Sequence, residues 1–248
     1  MLRKIKNMLK PLISTPLHPQ WFTARNQKRI SELVRGETRG PVVLDIGCGK
    51  RWPAALLPES FNYFGLDYPE TAAWYETRPD VFGDAENLPF VTRSANTVLM
   101  LDVLEHVPHP RKALSEGHRC LQKNGTLILI VPFLYPIHDA PHDYRRWSIY
   151  GLKKLAGELG FTIETDAYSG NPLETAALLS NIAMTKSIFN WISRRHIASL
   201  FVLMLPIFIL CNNLLAWFLS HLSLADAIMP ISYQLVLKAK ESPSIPSV

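Results

Sequence analysis

Apolar runs of strand length recur along the chain and alternate with longer, more polar stretches of helical character. They occupy residues 42–46, 63–66, 81–82, 97–101, 126–131, 161–165 and 233–240. The run at 126–131 is continuous and rich in branched residues, as expected for a strand that is buried on both faces of a sheet. Strands that alternate with helices in this way predict an α/β fold with a doubly wound, mostly parallel sheet.

The segments between these runs carry the predicted helices, at residues 20–35, 71–76, 111–122 and 151–159. Pro53 and Pro58 interrupt the segment after the first strand, so we expect only a short or broken helix there. The pair Asn124-Gly125 is a stop signal for the helix at 111–122, and Gly160 closes the helix at 151–159.

The region between the sixth and seventh strands is long and apolar, and residues 197–225 contain no Lys, Arg, Asp or Glu. Hydropathy alone suggests a membrane span, but the seventh strand has to return to the same sheet as the sixth. Pro206 and Asn212-Asn213 are expected to divide the stretch into two pieces, each too short to span. We therefore predict a helical hairpin that lies in one leaflet or in the membrane interface. A soluble helical lid or a dimer interface is the alternative.

These patterns divide the chain into four sections. A basic segment with a helix at 1–40 precedes a core at 41–170, an apolar helical insert at 171–230, and the last strand with a tail at 231–248. The formal net charge is +5, and part of it lies in the basic residues at positions 3, 4, 6 and 10. That start is either solvated or attracted to anionic lipid headgroups, and it lacks the apolar core of a secretory signal.

Two classes of partner and site are not expected. The basic residues are not interleaved with aromatic ones, so nucleic acid is not a predicted partner. The three cysteines, Cys48, Cys120 and Cys211, are scattered without a CxxC motif. They indicate a reducing, cytoplasmic location and neither a disulfide framework nor a zinc site.

The first strand ends in an acid and runs into a glycine turn, in the order Asp45, Gly47, Gly49. The second strand also ends in an acid, Asp67. Glycines let the backbone approach a ligand closely, and an acid after the second strand can bind the two hydroxyls of a ribose. The third glycine of the dinucleotide fingerprint is absent, since Lys50 follows, and this favours a nucleoside cofactor without phosphates.

Four motifs extend this pattern, namely VVLDIGCG, FGLD, GDAENLPF and LDVLEHV, followed by a helix and LQKNGTLILIVPF. Together they resemble the class I S-adenosylmethionine-dependent methyltransferases, and most closely the group called type 11. The resemblance covers residues 41–168 and resumes at 231–240. It implies a Rossmann-like sheet of seven strands, in which the last strand runs antiparallel beside the sixth, and S-adenosylmethionine as the cofactor.

The resemblance also implies a role for each motif. The methionine part of the cofactor would be held by Asp45 and the turn Gly47-Cys48-Gly49, in which Cys48 is also a small packing residue. Asp67, followed by Tyr68, would bind the ribose. Asp84 and the amide of Ala85 would bind the adenine edge, and Asp102 would lie near the methionine amine or the acceptor. His106 lies close to the methyl group in this reading, or is a structural residue at a helix start.

The loop after the fifth strand, residues 135–147, is unusually rich in polar residues for a segment at the ligand-binding edge of such a sheet. We expect His138 or His142 to be the general base, supported by Asp143, and Arg145 or Arg146 to bind an acidic acceptor. A loop held by its own hydrogen bonds is the alternative. A metal site formed by His138, Asp139, His142 and Asp143 is disfavoured because the spacing is loose, so no metal is predicted.

The sequence therefore predicts a cytoplasmic, membrane-associated methyltransferase with a lipid-linked saccharide or a quinone-like lipid as its acceptor. The alternative is a non-catalytic protein with a methyltransferase-like fold, whose apolar insert binds a partner chain. The intact acids and glycines at 45, 47, 49 and 67 favour the enzyme.

Overall fold

A computed structural model describes residues 10–72, 78–223 and 227–240. Its centre is a seven-stranded sheet with the strand order β3-β2-β1-β4-β5-β7-β6. The strands are β1 (Val42–Ile46), β2 (Asn62–Asp67), β3 (Val81–Phe82), β4 (Ala95–Leu101), β5 (Leu121–Pro132), β6 (Phe161–Ser169) and β7 (Ser232–Ala239). β1 to β5 pair in parallel, whereas β7 is antiparallel to β5 and lies between β5 and β6. The predicted fold class is confirmed.

The helices are α1 (Trp21–Glu37), α2 (Pro69–Ala72), α3 (Pro110–Cys120), α4 (Ile149–Glu158), α5 (Pro172–Ser193) and α6 (Leu205–Leu222). Short 3-10 turns lie at Lys10–Ser14, Trp52–Leu56 and Ile197–Leu203. The second of these is the short segment expected after β1. Part of the helix predicted at 71–76, part of the apolar stretch at 197–225 and most of the basic start lie outside the described residues.

The prediction that Asn124-Gly125 ends the helix at 111–122 is wrong. Helix α3 ends at Cys120, and the chain passes directly into β5 with Leu121 already extended. Asn124 has φ 59°, and a Cβ on Gly125 would lie 2.9 Å from the carbonyl oxygen of Gln122. The pair therefore lies in an irregular part of β5, between the residues Leu121 and Thr126 that pair with β4, and it is not a helix cap. Gly160 does follow α4 in the left-handed conformation, with φ 83°.

The chain forms two compact units, and the larger contains residues 31–133, 137–168 and the described part of 232–248. Its core consists of β-strand and helix side chains such as Leu44, Met100, Leu129 and Leu235, all fully or almost fully buried. All of the predicted site residues lie in this unit, at or near the carboxyl ends of the parallel strands.

The smaller unit contains the described parts of 1–30, residues 134–136 and 169–231. Helix α5 begins with a capping box formed by Asn171 and Glu174. The amide of Asn181 donates to Asn213 Oδ1 over 2.7 Å, and Asn213 Nδ2 donates to the carbonyl oxygens of Pro16 and His18. A polar network thus connects α5, α6 and the segment before α1.

The expected division of the apolar stretch is wrong in one respect. Pro206 lies in the first turn of α6, but the helix continues through Asn212 and Asn213 as 18 uninterrupted residues. Its length of about 27 Å approaches that of a bilayer core. By length and composition alone, α6 is the one helix among the described residues that could cross a membrane.

Candidate active site

Three acids mark the carboxyl ends of adjacent strands, Asp45 on β1, Asp67 on β2 and Asp102 directly after β4. β1 pairs with both β2 and β4, so these strand ends meet at one edge of the sheet. Asp102 adopts φ 57°, a left-handed conformation that non-glycine residues rarely take and that is often found at functional sites. This edge is where ligands bind in doubly wound folds.

The turn after β1 is built on glycine for a steric reason. Gly47 and Gly49 have φ values of 71° and 48°. A Cβ on Gly47 would lie 2.7 Å from Val103 Cγ2, so no other residue fits without a shift. The backbone N–H groups of Gly47 and Cys48 both donate to the carbonyl oxygen of Leu66, which connects the turn to β2.

Cys48 is a packing residue in this turn. Its side chain is buried, and a Cβ on Gly65 would lie 2.8 Å from its sulfur. Burial raises the pKa of the Cys48 thiol to about 12, and the nearby carboxylates act in the same direction. The thiol therefore stays protonated and is not a nucleophile.

Asp67 is buried, and its carboxylate holds the turn in place. Its Oδ2 accepts a hydrogen bond from the Gly49 N–H over 2.8 Å. Its Oδ1 accepts from the N–H of Tyr68 and from the hydroxyl of Thr71, each over 2.8 Å. Tyr68 has an exposed ring beside it. A carboxylate can accept about four hydrogen bonds, so Asp67 retains capacity for a ribose hydroxyl.

Two of the other acids are held in surroundings that oppose ionisation. Burial raises the pKa of Asp45 to about 7, although its hydrogen bond from the Tyr63 hydroxyl acts in the opposite direction. The residue Asp102 has solvent-exposed surface, and desolvation of its carboxyl group by the surrounding protein raises its pKa to about 6. A cationic ligand would restore the ionised form of both, and S-adenosylmethionine carries an ammonium and a sulfonium.

Asp84 and Ala85 begin a tight turn after β3. Asp84 Oδ1 accepts the N–H of Glu86 over 2.8 Å, and Asp84 forms an isolated β-bridge with Asn87. The carboxylate is therefore used in part to shape the turn. Glu86 continues the connection by accepting the backbone N–H of His109 over 2.7 Å.

The polar loop after β5 brings three of its predicted residues into one network. His138 Nδ1 lies 3.2 Å from Asp143 Oδ2, and Asp143 also accepts from Arg146 over 2.7 Å. The hydrogen bonds from Arg146 hold the pKa of Asp143 at about 2, so this carboxylate is ionised. His142 is separate from this pair, with its Nδ1 3.1 Å from the hydroxyl of Tyr144.

The two arginines of the loop bind groups of the protein itself, although the sequence predicted that one of them binds an acidic acceptor. Arg145 donates to the carbonyl oxygens of Val107 and Pro108, over 2.6 and 2.7 Å. Arg146 pairs with the buried carboxylate of Asp143. These contacts fix the loop against the segment after β4, and they support the alternative in which the loop is held by its own hydrogen bonds.

Sequence reasoning missed Glu105. This residue lies in the LEH motif, and its side chain is completely buried. Its Oε1 lies 3.6 Å from His106 Nε2 and 3.9 Å from His138 Nε2. The sequence did contain a signal for this residue, since Glu105 directly precedes the candidate histidine His106. The alternative metal set of the loop is not formed, because Asp143 is bound to Arg146 and His142 to Tyr144.

The fold and this edge define a Rossmann-type α/β domain suited to a cationic nucleoside cofactor, and comparison with known proteins agrees. The type 11 family described as "Methyltransferase domain" matches residues 44–129. A protein of Mycolicibacterium smegmatis named "Probable S-adenosylmethionine-dependent methyltransferase" is 28% identical over 156 residues. The match covers 58% of this chain and 60% of that protein, so the chain spans less than two thirds of the relative's length.

Solved structures agree on the fold. The [4+2]-cyclase SpnF superposes with a TM-score of 0.55 at 17% identity, covering 86% of this chain and 81% of that one. The MccD protein gives a TM-score of 0.53 at 15% identity, covering 85% and 96%. A cyclase on this fold shows that the fold alone does not decide the reaction.

The domain match, the motifs and the sheet order make the core of this chain similar to the class I S-adenosylmethionine-dependent methyltransferases of the type 11 group, over residues 44–129. The cofactor of this family is S-adenosylmethionine. The glycine turn that only glycine fits and the acids that a cation would ionise are consistent with that cofactor.

Proposed function

We propose that the protein transfers a methyl group from S-adenosylmethionine to an amphiphilic acceptor at the cytoplasmic face of a membrane. Candidate acceptors are a lipid-linked saccharide and a quinone-like lipid. The observation that carries the catalytic part is the row of acids Asp45, Asp67 and Asp102 beside the glycine turn. The sulfonium of the cofactor supplies an activated methyl group, so the protein has mainly to bind and orient the two reactants.

At the cofactor end, we assign the contacts to the acids and the glycine turn at the carboxyl ends of the strands. Asp45 and the turn at 47–49 hold the methionine part, and Asp67 with Tyr68 binds the ribose. Asp84 and Ala85 receive the adenine edge. Asp102 would lie near the methionine amine or the acceptor, and the positive charge of His138 lowers the pKa of Asp102 when that ring is protonated.

At the acceptor end, we assign the activating role to His138 rather than His142. Asp143 fixes the orientation of the His138 ring through Nδ1, as expected for a residue that handles a proton or a ligand atom at Nε2. Arg145 and Arg146 act on the loop, and they position His138 and Asp143 instead of binding the acceptor directly.

The amphiphilic acceptor is inferred from the surface of the smaller unit. The 3-10 turn at Ile197–Leu203 and helix α6 expose many large apolar side chains, among them Ile197, Leu200, Phe201, Leu203, Ile207, Leu215, Phe218 and Leu222. Monomeric soluble proteins rarely expose contiguous apolar surface of this kind. An apolar surface that carries no Lys, Arg, Asp or Glu from 197 to 223 fits the interior of a leaflet.

Transfer of a radiolabelled methyl group tests this proposal. Purified protein is incubated with methyl-labelled S-adenosylmethionine and either a total lipid extract or the aqueous extract of the same cells. We expect label in the organic phase, and a loss of about a hundredfold or more in His138→Ala. The matched control is His109→Ala, a histidine that pairs with Glu86 outside the loop. Label that enters only aqueous products would contradict the lipid acceptor.

A further inference from the structure

Glu105 is a buried carboxylate that faces two histidine rings, His106 and His138. Its side chain has no exposed surface, and neither oxygen has a hydrogen-bond partner among the residues that the structure describes. An isolated carboxylate in such a place is costly, so a cation or a proton is expected at its oxygens.

Two imidazoles face this carboxylate with the same ring atom. His106 Nδ1 lies 3.0 Å from the carbonyl oxygen of His142, which can only accept, so Nδ1 carries the proton. His138 Nδ1 likewise lies beside an acceptor, the Asp143 carboxylate. In both neutral rings the Nε2 atom therefore carries a lone pair, and both Nε2 atoms lie within 4 Å of Glu105 Oε1.

We propose that Glu105, His106 and His138 form a binding site for a divalent transition-metal ion. One ligand atom from each residue lies within 4.8 Å of the others. Ligands at zinc distances in a tetrahedral site are about 3.4 Å apart. The 3.6 and 3.9 Å separations from Glu105 Oε1 thus need a contraction of about 0.2 and 0.5 Å, and the two histidine nitrogens, which lie within 4.8 Å of each other, would have to approach as well.

The surroundings of the three residues are those of metal ligands. Histidine ligands donate their other ring N–H to a carbonyl or a carboxylate, which fixes the tautomer, and here His142 O and Asp143 take these two roles. Two imidazoles and one carboxylate suit Zn²⁺, Mn²⁺ or Fe²⁺ and leave coordination positions open. This site differs from the loop set of His138, Asp139, His142 and Asp143 that the sequence suggested as an alternative. The two sets share only His138.

The open positions give the site a role that rests on the proposed function. An acceptor oxygen bound to the ion would lose its proton more readily, because a divalent ion lowers the pKa of a bound hydroxyl or water. His138 would then act on the acceptor through the ion rather than as a general base, and His142 would contribute its backbone carbonyl.

Metal binding is measured on the full chain, purified without a histidine tag and stripped with a chelator. Zn²⁺ is titrated by calorimetry, and Co²⁺ is added separately because its visible absorption reports coordination. We expect one ion per chain, bound at least about a hundredfold more weakly by Glu105→Gln and by His138→Ala. Asp143→Asn, which removes the carboxylate behind His138 and weakens its pair with Arg146, should weaken binding by about 10–100-fold. His109→Ala is the control and should bind as the wild type does.

Two results would overturn the site. The first is equal Zn²⁺ affinity in the wild type and in Glu105→Gln, with both variants folded by circular dichroism. The second is an infrared band of a protonated carboxyl that disappears in Glu105→Gln but persists in the wild type at saturating Zn²⁺. If Glu105→Gln does not fold, His138→Ala and Asp143→Asn decide the outcome. Binding of S-adenosylhomocysteine in the same samples distinguishes failure of the metal site from failure of the methyltransferase assignment.

Discussion

At the scale of residues, the acids at the sheet edge differ in their surroundings, and their chemistry follows from this. Asp67 is already bound by Gly49, Tyr68 and Thr71. Asp45 and Asp102 are held with pKa values of about 7 and about 6. The sequence could indicate that these acids share an edge. It could not indicate which of them favours the neutral form, because that depends on burial and on neighbours such as Tyr63 that are remote in sequence.

Cofactor affinity should therefore depend on pH. The free protein holds a proton on Asp45 below pH about 7, and binding of an ammonium group requires the ionised carboxylate, so the cofactor must displace that proton. We expect the Kd to rise as pH falls from 8 to 6, by at most tenfold per unit, with proton uptake by the buffer. Calorimetry in two buffers of different ionisation enthalpy measures this. In Asp45→Asn the change between pH 8 and 7 should disappear, and an unchanged profile would show that another group titrates.

At the scale of elements, most strands and helices were predictable because their apolar periodicity is strong. The division of the α6 region at Asn212-Asn213 was wrong. Asn costs an α-helix less than about 0.7 kcal/mol per residue relative to Ala, which does not break an apolar helix. Here the amides also have partners: Asn212 donates to Asn181 Oδ1 and Ala177 O, and Asn213 to the segment before α1. These partners lie too far along the chain to be recognised from local pattern.

The polar network should contribute measurably to stability. Asn213 is fully buried, and Asn213→Ala would remove the acceptor of Asn181 Nδ2 and the side-chain donor to the carbonyl oxygens of Pro16 and His18, of which His18 O still accepts the Trp21 N–H. An unsatisfied buried polar group costs about 1–3 kcal/mol, and each kcal/mol shifts Tm by about 2–4 °C for a chain of this size, so we expect a Tm lower by roughly 2–12 °C. Thermal unfolding in detergent tests this against Asn190→Ala, an exposed position on α5. Equal Tm values for the two variants would show that the network is not stabilising.

At the scale of the whole molecule, the order of the motifs indicates a mostly parallel sheet of seven strands whose last strand lies beside the sixth, and the structure agrees. The proposed site at Glu105 was not predictable, since it depends on two ring tautomers that are set by His142 O and Asp143. Neither His142 nor Asp143 is adjacent in sequence to the histidine that it contacts, and neither contact belongs to a periodic pattern. The composition of the sequence was enough to identify the apolar insert. The exposure of its large apolar side chains could be read only from the folded chain.

The protein should fractionate with membranes through the insert. Apolar burial rather than charge would supply most of the affinity, so high salt should not release the protein, whereas alkaline carbonate should release part of it. Replacing Leu203, Ile207 and Phe218, all exposed, by Ser should shift the protein toward the supernatant. Recovery of the wild type as a soluble monomer without detergent would contradict the membrane assignment and favour a helical lid.

The most direct test of the methyltransferase assignment is calorimetric titration with S-adenosylmethionine and S-adenosylhomocysteine. The wild type should bind both with one site per chain. Asp67→Ala and Asp67→Asn should bind at least about tenfold more weakly, since each lost polar partner of the ribose costs about 1–3 kcal/mol. Asp166→Ala, on β6 at the other end of the sheet order, should bind as the wild type does. No binding by the folded wild type, or equal binding by the Asp67 variants, would contradict the account.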